Sequence, residues 1–546
     1  MPTFNNSLFS QRRNRVFDVQ KHHSKHKKLV ESTKATPNNN HTKERKRKVS
    51  RLRQLAVFSA VRYWFAENLR NYCNSTSLHG FNYITLKGST VNERRFWIPT
   101  VIVSIIISIV LVTVSWFSNR EDLTVTVIES AHYPTWNIPF PAVTICSLNK
   151  ISKTSAMNLA KTFKRPSNVS EEKLLSLFRI TMPFSFVVDF TIEDYRTLEE
   201  VLTANNITLS KLTLQLTPDC REMITKCMWQ GSGTRCDLFF QPIQAMESAC
   251  CSFNYYARPT TNFRRKIAYQ IPKDPYRVSG CGYSTGLTLE LNPMVNDYFG
   301  TYLSSYGFRL LLHRPYSLPD ENSSKKVVSS GHETFVRISP ESTYASNDVK
   351  KVNSKLRNCL LPHERKLLLM KRYTFINCMA ECRLSILYNR CGCIPMGLPN
   401  NGSFRICVLS QMHCIMKTRD IFTLAIPTIN RTLMKLQKTH EFPCGCLPDC
   451  EFASYPSELT RGRLDSRYVS TKRYGNELVN ANEQTILHVF FSDLMSKRYR
   501  KDVYQDWLSS LGSFGGLLGL IMGFSIVAAF EFIYFLTFRP LLNLLN

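Results

Sequence analysis

The chain has 546 residues, enough for more than one domain plus membrane segments, and a net charge of +29. The excess is uneven, because residues 1–95 carry 20 Lys/Arg against 5 Asp/Glu, or +15. Such a block suits either nucleic acid or an anionic lipid leaflet. Two long apolar stretches further on decide for the leaflet and exclude nucleic acid as a partner.

Residues 1–50 are polar, basic and poor in aromatics, and are expected to be a disordered cytosolic tail. Lys43–Lys48 (KERKRK) mimics a nuclear signal, and His22, His23 and His26 mimic a metal cluster. Both read better as solvated tail. Residues 51–95 form a cytosolic segment before the first apolar stretch. Leu55, Phe58, Val61, Trp64 and Phe65 recur there at helical spacing, which predicts a short helix on the membrane surface. His79-Gly80 follows, and by itself marks only a turn.

Arg94 and Arg95 precede FWIPTVIVSIIISIVLVTVSWF, residues 96–117. This uncharged run, with Trp97 and Trp116 at its ends, predicts a transmembrane helix whose basic flank keeps the N-terminus in the cytosol. The polar, basic N-terminus shows no cleavable signal, so this helix is expected to act as a signal anchor.

Residues 118–507 are expected to be extracellular. Of 18 cysteines, 17 lie there, which reads as disulfides in an oxidising compartment. Sequons at Asn168, Asn206, Asn322, Asn401 and Asn430 agree. Strands are predicted at Thr124–Ile128, Leu209–Leu216, Leu287–Leu291, Phe335–Ile338 and Gln484–Phe491. Helices are predicted at Tyr373–Tyr388, with Cys378 and Cys382 one turn apart, and at Ile421–Leu436. Ten cysteines crowd residues 359–450. Their C-x-C and C-x3-C spacings could hold zinc, but an extracellular location favours disulfides, and spacing alone leaves their connectivity open. No metal and no cofactor are expected.

The second apolar stretch, residues 508–538, contains one charge, Glu531. Gly512, Gly516, Gly519 and Gly523 share one helical face, as close helix packing in lipid requires. Ser525, two residues after Gly523, would bring a hydroxyl together with backbone carbonyls at a helix break, the chemistry of a cation filter. Glu531 lies two turns deeper, where a carboxylate is costly unless it faces water. Residues 539–546 would be a short cytosolic tail. Lys497, Arg498, Arg500 and Lys501, ahead of this span, oppose that orientation, but the cysteines and sequons outweigh them.

Several segments together carry a resemblance. ENLRNYCNSTSLHG ends in His79-Gly80, and FPAVTICSLN occupies residues 140–149. ACCSFNY occupies residues 249–255, and LGSFGGLLGLIMGFS opens the second span. From about residue 60 onward the chain resembles the degenerin/epithelial sodium channel superfamily, which includes the acid-sensing channels, and most of all its arthropod pickpocket branch. The resemblance implies an α+β membrane protein: two transmembrane helices flanking a large, disulfide-rich, hand-like extracellular domain, assembled as a trimeric channel.

It also implies a thumb at residues 359–450 held by Cys359–Cys450, Cys378–Cys446, Cys382–Cys444, Cys391–Cys414 and Cys393–Cys407. Cys146 would pair with Cys250 or Cys251, and Cys227 with Cys236. Cys220 and Cys281 stay unassigned, and the odd count leaves one thiol over. Gly523, Phe524 and Ser525 would form the selectivity filter, although Phe524 departs from the small residue of acid-sensing channels. Glu531 would draw cations at the inner pore. His79 and Gly80 would form a re-entrant gating element, and Gly512 matches the position where bulk props the gate open.

The expected function is therefore not enzymatic. It is that of a subunit of a sodium-preferring, voltage-insensitive, amiloride-sensitive cation channel of the plasma membrane, gated by an extracellular ligand or by force. Its partners would be sodium ions, the bilayer and two like or related subunits. A two-span scavenger-type lipid receptor shares the topology but needs neither Gly523, Ser525 nor an intramembrane Glu531. An ATP-gated trimeric channel shares it too, but would need a basic nucleotide site in place of the cysteine block.

Overall fold

The computed structural model describes residues 63–64, 66–121, 123–182, 190–245, 249–257, 273–301, 303–319, 324–418, 443–465, 484–504, 507–539 and 541–542. The chain divides into two compact units: Met1–Ser118 with Trp507–Asn546, and Asn119–Asp506. The tail at 1–50, most of the amphipathic pattern after Leu52, the helix expected at Ile421–Leu436, and Asn322 and Asn430 lie outside the described residues.

Among the described residues the large unit holds three larger sheets and a two-stranded pair, Ile151–Ser152 with Tyr298–Gly300. A five-stranded sheet runs in the order Ser324–Ser329, Gly307–His313, Ala142–Ser147, Ala249–Phe253, Phe240–Gln244. A six-stranded sheet runs in the order Ser457–Arg463, His332–Ile338, Thr485–Phe491, Leu287–Leu291, Ile224–Trp229, Ser232–Thr234. Their inner faces form one core, in which Val143, Ile145, Phe253, Phe308 and Leu310 of the first meet Leu287, Leu289, Val336, Leu487, Val489 and Phe491 of the second. Strand periodicity dictates this, since alternate side chains share one face. The four strands expected at 124–128, 287–291, 335–338 and 484–491 are all present within these sheets or the next.

The third sheet joins the segments nearest the two long apolar helices in sequence. Thr124–Pro134 pairs antiparallel with Met495–Val503, from Thr124 opposite Val503 to Pro134 opposite Met495. Glu341–Ala345 adds in parallel to the latter, and Phe452–Ser454 closes the edge. Arg498 is held over the rings of Tyr133 and Tyr344, at 4.5 and 4.1 Å, with its Nε 3.4 Å from Glu129. Arg500 pairs with Asp502 at 3.0 Å. Two members of the basic cluster are thus engaged within the sheet.

Leu209–Leu216, expected as a strand, is a helix. The alternation Leu212, Leu214, Leu216 misleads, because Leu214 is 56% exposed. The Thr208 hydroxyl caps the first turn by accepting from the Lys211 N–H. Leu212, Thr213 and Leu216 are buried at helical spacing in a second core of helices Lys153–Thr162, Glu171–Leu177 and Ile192–Ala204. Tertiary packing overrides the short apolar alternation here.

Phe375–Cys391 is the helix expected near 373–388, ended by Gly392 in the left-handed conformation. Around it all five thumb disulfides form in the implied pairing. Cys378 and Cys382, one turn apart, face Cys446 and Cys444 across Cα–Cα distances of 5.9 and 6.2 Å. Glu381 on the same helix accepts from the N–H groups of Leu368, Leu369 and Met370, fixing the preceding loop. Elsewhere Cys146 pairs with Cys250, Cys227 with Cys236, and Cys220 takes Cys251. Cys281 is the remaining thiol of the inter-helix segment. Asn168, Asn206 and Asn401 are exposed.

The helix Val91–Glu121 belongs to the smaller unit as far as Ser118, and its Val91–Phe117 part is long and apolar enough to cross a bilayer. Hydroxyls on it bond back to the helix: those of Thr100, Ser104 and Ser108 donate to the carbonyls of Phe96, Thr100 and Ser104, at 2.8–2.9 Å. The second apolar stretch is two helices, Trp507–Met522 and Ile526–Ile533, continued by a π-turn at Tyr534–Phe538 and bent by 71° at the break.

The Cys382–Cys444 bridge closes a loop of 62 residues. Loss of a native disulfide costs about 2–5 kcal/mol. Cys382→Ser and Cys444→Ser are each expected to reduce surface delivery, and the double variant to be no worse than either alone. Surface biotinylation checks this, and clearly additive defects would contradict a shared bond.

Candidate functional site

The site is the break in the second apolar helix. A helix that stops inside an apolar stretch leaves N–H and C=O groups that water cannot satisfy. At the upper end Gly523 takes φ +68°, and its N–H still donates to the Gly519 carbonyl at 2.9 Å. This is the left-handed cap for which glycine has no steric penalty. The Phe524 N–H reaches the Leu518 carbonyl at 3.3 Å. At the lower end Ser525 is the N-cap, its hydroxyl accepting from the Ala528 N–H at 3.2 Å. The Ser525 hydroxyl, expected from sequence to stand at the break, therefore has a structural duty there as well.

The missing partner for the upper helix comes from the segment before the first helix. The His79 N–H donates to the Met522 carbonyl at 2.9 Å. The His79 ring then lies directly on Gly523, where a Cβ would come within 2.7–2.9 Å of three of its atoms. Gly80, at φ +85°, turns the chain on the other side, where a Cβ would be 2.8 Å from Val101 and 3.7 Å from Trp97. His79-Gly80 is thus a turn, as expected, and its two residues are seated against the second and first long helices respectively. Tyr83 stacks on Trp97 at 4.5 Å, fixing the short helix Phe81–Thr85 to the same helix.

The segment 72–80 also covers one face of the lower helix. Tyr72, Cys73, Leu78 and Ala528 form a buried cluster with Phe81 and Phe535. Tyr72 meets Phe532 and Phe535 edge-on at 5.5 and 6.0 Å. Residues 528, 531, 532 and 535 recur at the i, i+3, i+4, i+7 spacing of a single helical face. Glu531 lies on it, and its Oε2 accepts from the N–H and the hydroxyl of Ser77 at 3.2 and 3.3 Å. Glu531 is partly exposed and held by its own chain.

The structure brings Gly523, Phe524, Ser525, Glu531, His79 and Gly80 into one region. Gly512 does not join them, and a Cβ on it would meet nothing within 4 Å. The same is true of Gly515 and Gly516, so this part of the glycine-rich stretch is not used in packing within the chain. Ser77, Ala528 and Tyr72 were not singled out from the sequence. The usable signal was the lone charge at Glu531, since an isolated carboxylate in an apolar stretch requires a donor. Among the described residues no group of three or more His, Cys, Asp or Glu could hold a metal ion.

The profile of the amiloride-sensitive sodium channel family matches residues 72–535. Pickpocket protein 11 of Drosophila melanogaster is 27% identical over 481 residues, covering 87% of this chain and 77% of its own. Sodium channel protein Nach of the same species is 24% identical over 477 residues, covering 85% and 86%. Acid-sensing ion channel 4-B of Danio rerio is 25% identical over 268 residues, covering 47% and 44%.

Packing of His79 on Gly523 predicts a measurable conflict. Gly523→Ala adds a Cβ inside the ring's contact distance and carries a left-handed penalty of about 1–2 kcal/mol. It is expected to lower the melting temperature of the detergent-solubilised protein. His79→Ala in the same chain should recover the steric part but not the backbone part. An unchanged melt for Gly523→Ala would show that the turn does not sit there.

Proposed function

We propose a function from one premise: the chain belongs to the amiloride-sensitive sodium channel family. That family and the relatives above are ion channels, not enzymes, and the lipid-receptor and ATP-gated readings find no footing in it. The chain is a subunit of a plasma-membrane cation channel that prefers sodium, does not sense voltage, is blocked by amiloride and opens on an extracellular ligand or force. Two spans, 96–117 and 508–538, keep both termini in the cytosol. The cysteine-rich unit between them lies outside, where Asn168, Asn206, Asn322, Asn401 and Asn430 are available for glycosylation.

The observation that carries this reading is the capped break at Gly523–Ser525 with His79-Gly80 seated in it. A break in an apolar helix is tolerated in lipid only where it is buried in protein or lines a water-filled path. Gly523, Phe524 and Ser525 form the filter, Glu531 draws cations below it, and His79 with Gly80 gates the lower path. Trp507–Met522 buries none of its residues within the chain, which supports assembly with two further subunits, identical or related, around a central axis.

Gly512 lies at the outer end of that unpacked helix, where neighbouring subunits cross closely in the closed state. Only a small residue suits such a crossing. Opening is an equilibrium between two packings, and a penalty of roughly 5 kcal/mol on one of them moves it almost completely. Gly512→Val is expected to give a standing inward current at rest that is blocked by amiloride and lost when sodium is replaced by a large organic cation. Gly512→Ala should do so less. A valine variant present at the surface in normal amounts, with its proper subunits, and carrying no extra resting current would overturn this placement of the gate.

A further inference from the structure

Glu531 is the only charge in residues 508–538, yet the described chain offers it no cation. Both bonds it receives come from Ser77 and converge on one oxygen, Oε2. Oε1 has no hydrogen-bond partner among the described residues. A carboxylate has about four acceptor sites, so satisfying one oxygen leaves the other able to meet a cation. Two donors on one oxygen also restrict rotation about the terminal bond, which is otherwise soft.

The turn that presents Ser77 is itself braced. The Thr76 N–H donates to the Tyr72 carbonyl at 2.9 Å, and the Thr76 hydroxyl accepts from the Leu78 N–H at 3.3 Å. The Thr85 hydroxyl donates to the Asn74 side chain at 2.6 Å. Tyr72 and Leu78, on either side of Ser77, are packed against the lower helix through Phe532, Phe535 and Ala528. Ser77 is therefore delivered to Glu531 by a rigid segment.

We infer that Ser77 is a positioning residue for cation passage: it holds Glu531 by Oε2 so that Oε1 faces the permeating ion. This rests on the channel reading above. The role is separable from gating by His79-Gly80, which contacts the break rather than the carboxylate. It predicts an effect on how strongly sodium is drawn in, rather than on whether the channel assembles.

The test is single-channel conductance measured over a range of sodium concentrations. Ser77→Ala removes the hydroxyl donor but keeps the backbone N–H. It is expected to raise the half-saturating sodium concentration by roughly threefold or more, as loss of a hydrogen bond to a charged group allows, with little change in maximal conductance. Ser77→Thr keeps the hydroxyl and should behave as the wild type. In a Glu531→Gln background, Ser77→Ala should add nothing. Independent, multiplying effects of the two substitutions, or no shift in Ser77→Ala, would overturn the assignment.

A second readout needs no current. In the purified full chain, Glu531→Ala should speed hydrogen exchange at the Ser77 amide, and unchanged exchange would also overturn it. If the wild-type chain passes no sodium in any subunit company, the channel reading fails, and exchange alone decides whether Ser77 holds Glu531.

Discussion

The constraint on which the smaller unit turns is the need to satisfy backbone polar groups where an apolar helix stops. In hydrocarbon an unpaired N–H or C=O costs several kcal/mol, roughly the whole stability of a small domain when a few accumulate. Three devices meet that need at this break. Gly523 adopts the left-handed cap, Ser525 caps the lower helix, and His79 reaches the Met522 carbonyl. The third comes from a part of the chain more than 400 residues away in sequence. Residues 72–81 are consequently part of the core of this unit.

The same docking changes the meaning of Glu531. A lone carboxylate in an apolar stretch must find water, a cation or hydrogen-bond donors. Here Ser77 supplies two donors to one oxygen. Both donors are neutral, so Ser77 meets the hydrogen-bonding need of this partly exposed side chain without forming an ion pair.

In the large unit, two kinds of restraint divide the work. The paired sheets bury a continuous apolar face, while the region around Phe375–Cys391 relies on covalent bridges nested about one helix. A helix with almost no apolar asymmetry cannot be held by packing on one stripe alone. Buried polar contacts anchor its base: Asp449 accepts from the Phe375 N–H and pairs with Arg314. Burial raises the Asp449 carboxyl above its usual range, against the lowering influence of Arg314. The hydrogen-bonded pairing of Thr124–Pro134 with Met495–Val503 means that the strands nearest the two long helices in sequence cannot shift independently.

Much of this was legible in the residues. The apolar runs, the lone Glu531, the glycine-rich stretch, four of the five expected strands and the thumb helix follow from local composition and period, which depend on near neighbours in the chain. The cysteine pairing followed from the family resemblance and not from spacing, which permits many connectivities. What only the tertiary structure decided are contacts between distant segments. Leu209–Leu216 became a helix because its Leu212–Leu216 face had a helical core to meet and Thr208 to cap it. Cys146 takes Cys250 and Cys220 takes Cys251 because adjacent residues of the strand Ala249–Phe253 face opposite sides, each toward a different core. His79 met Gly523 and Ser77 met Glu531 across a separation that no local pattern encodes, since a hydrogen bond between such residues exists only once the fold has brought them together.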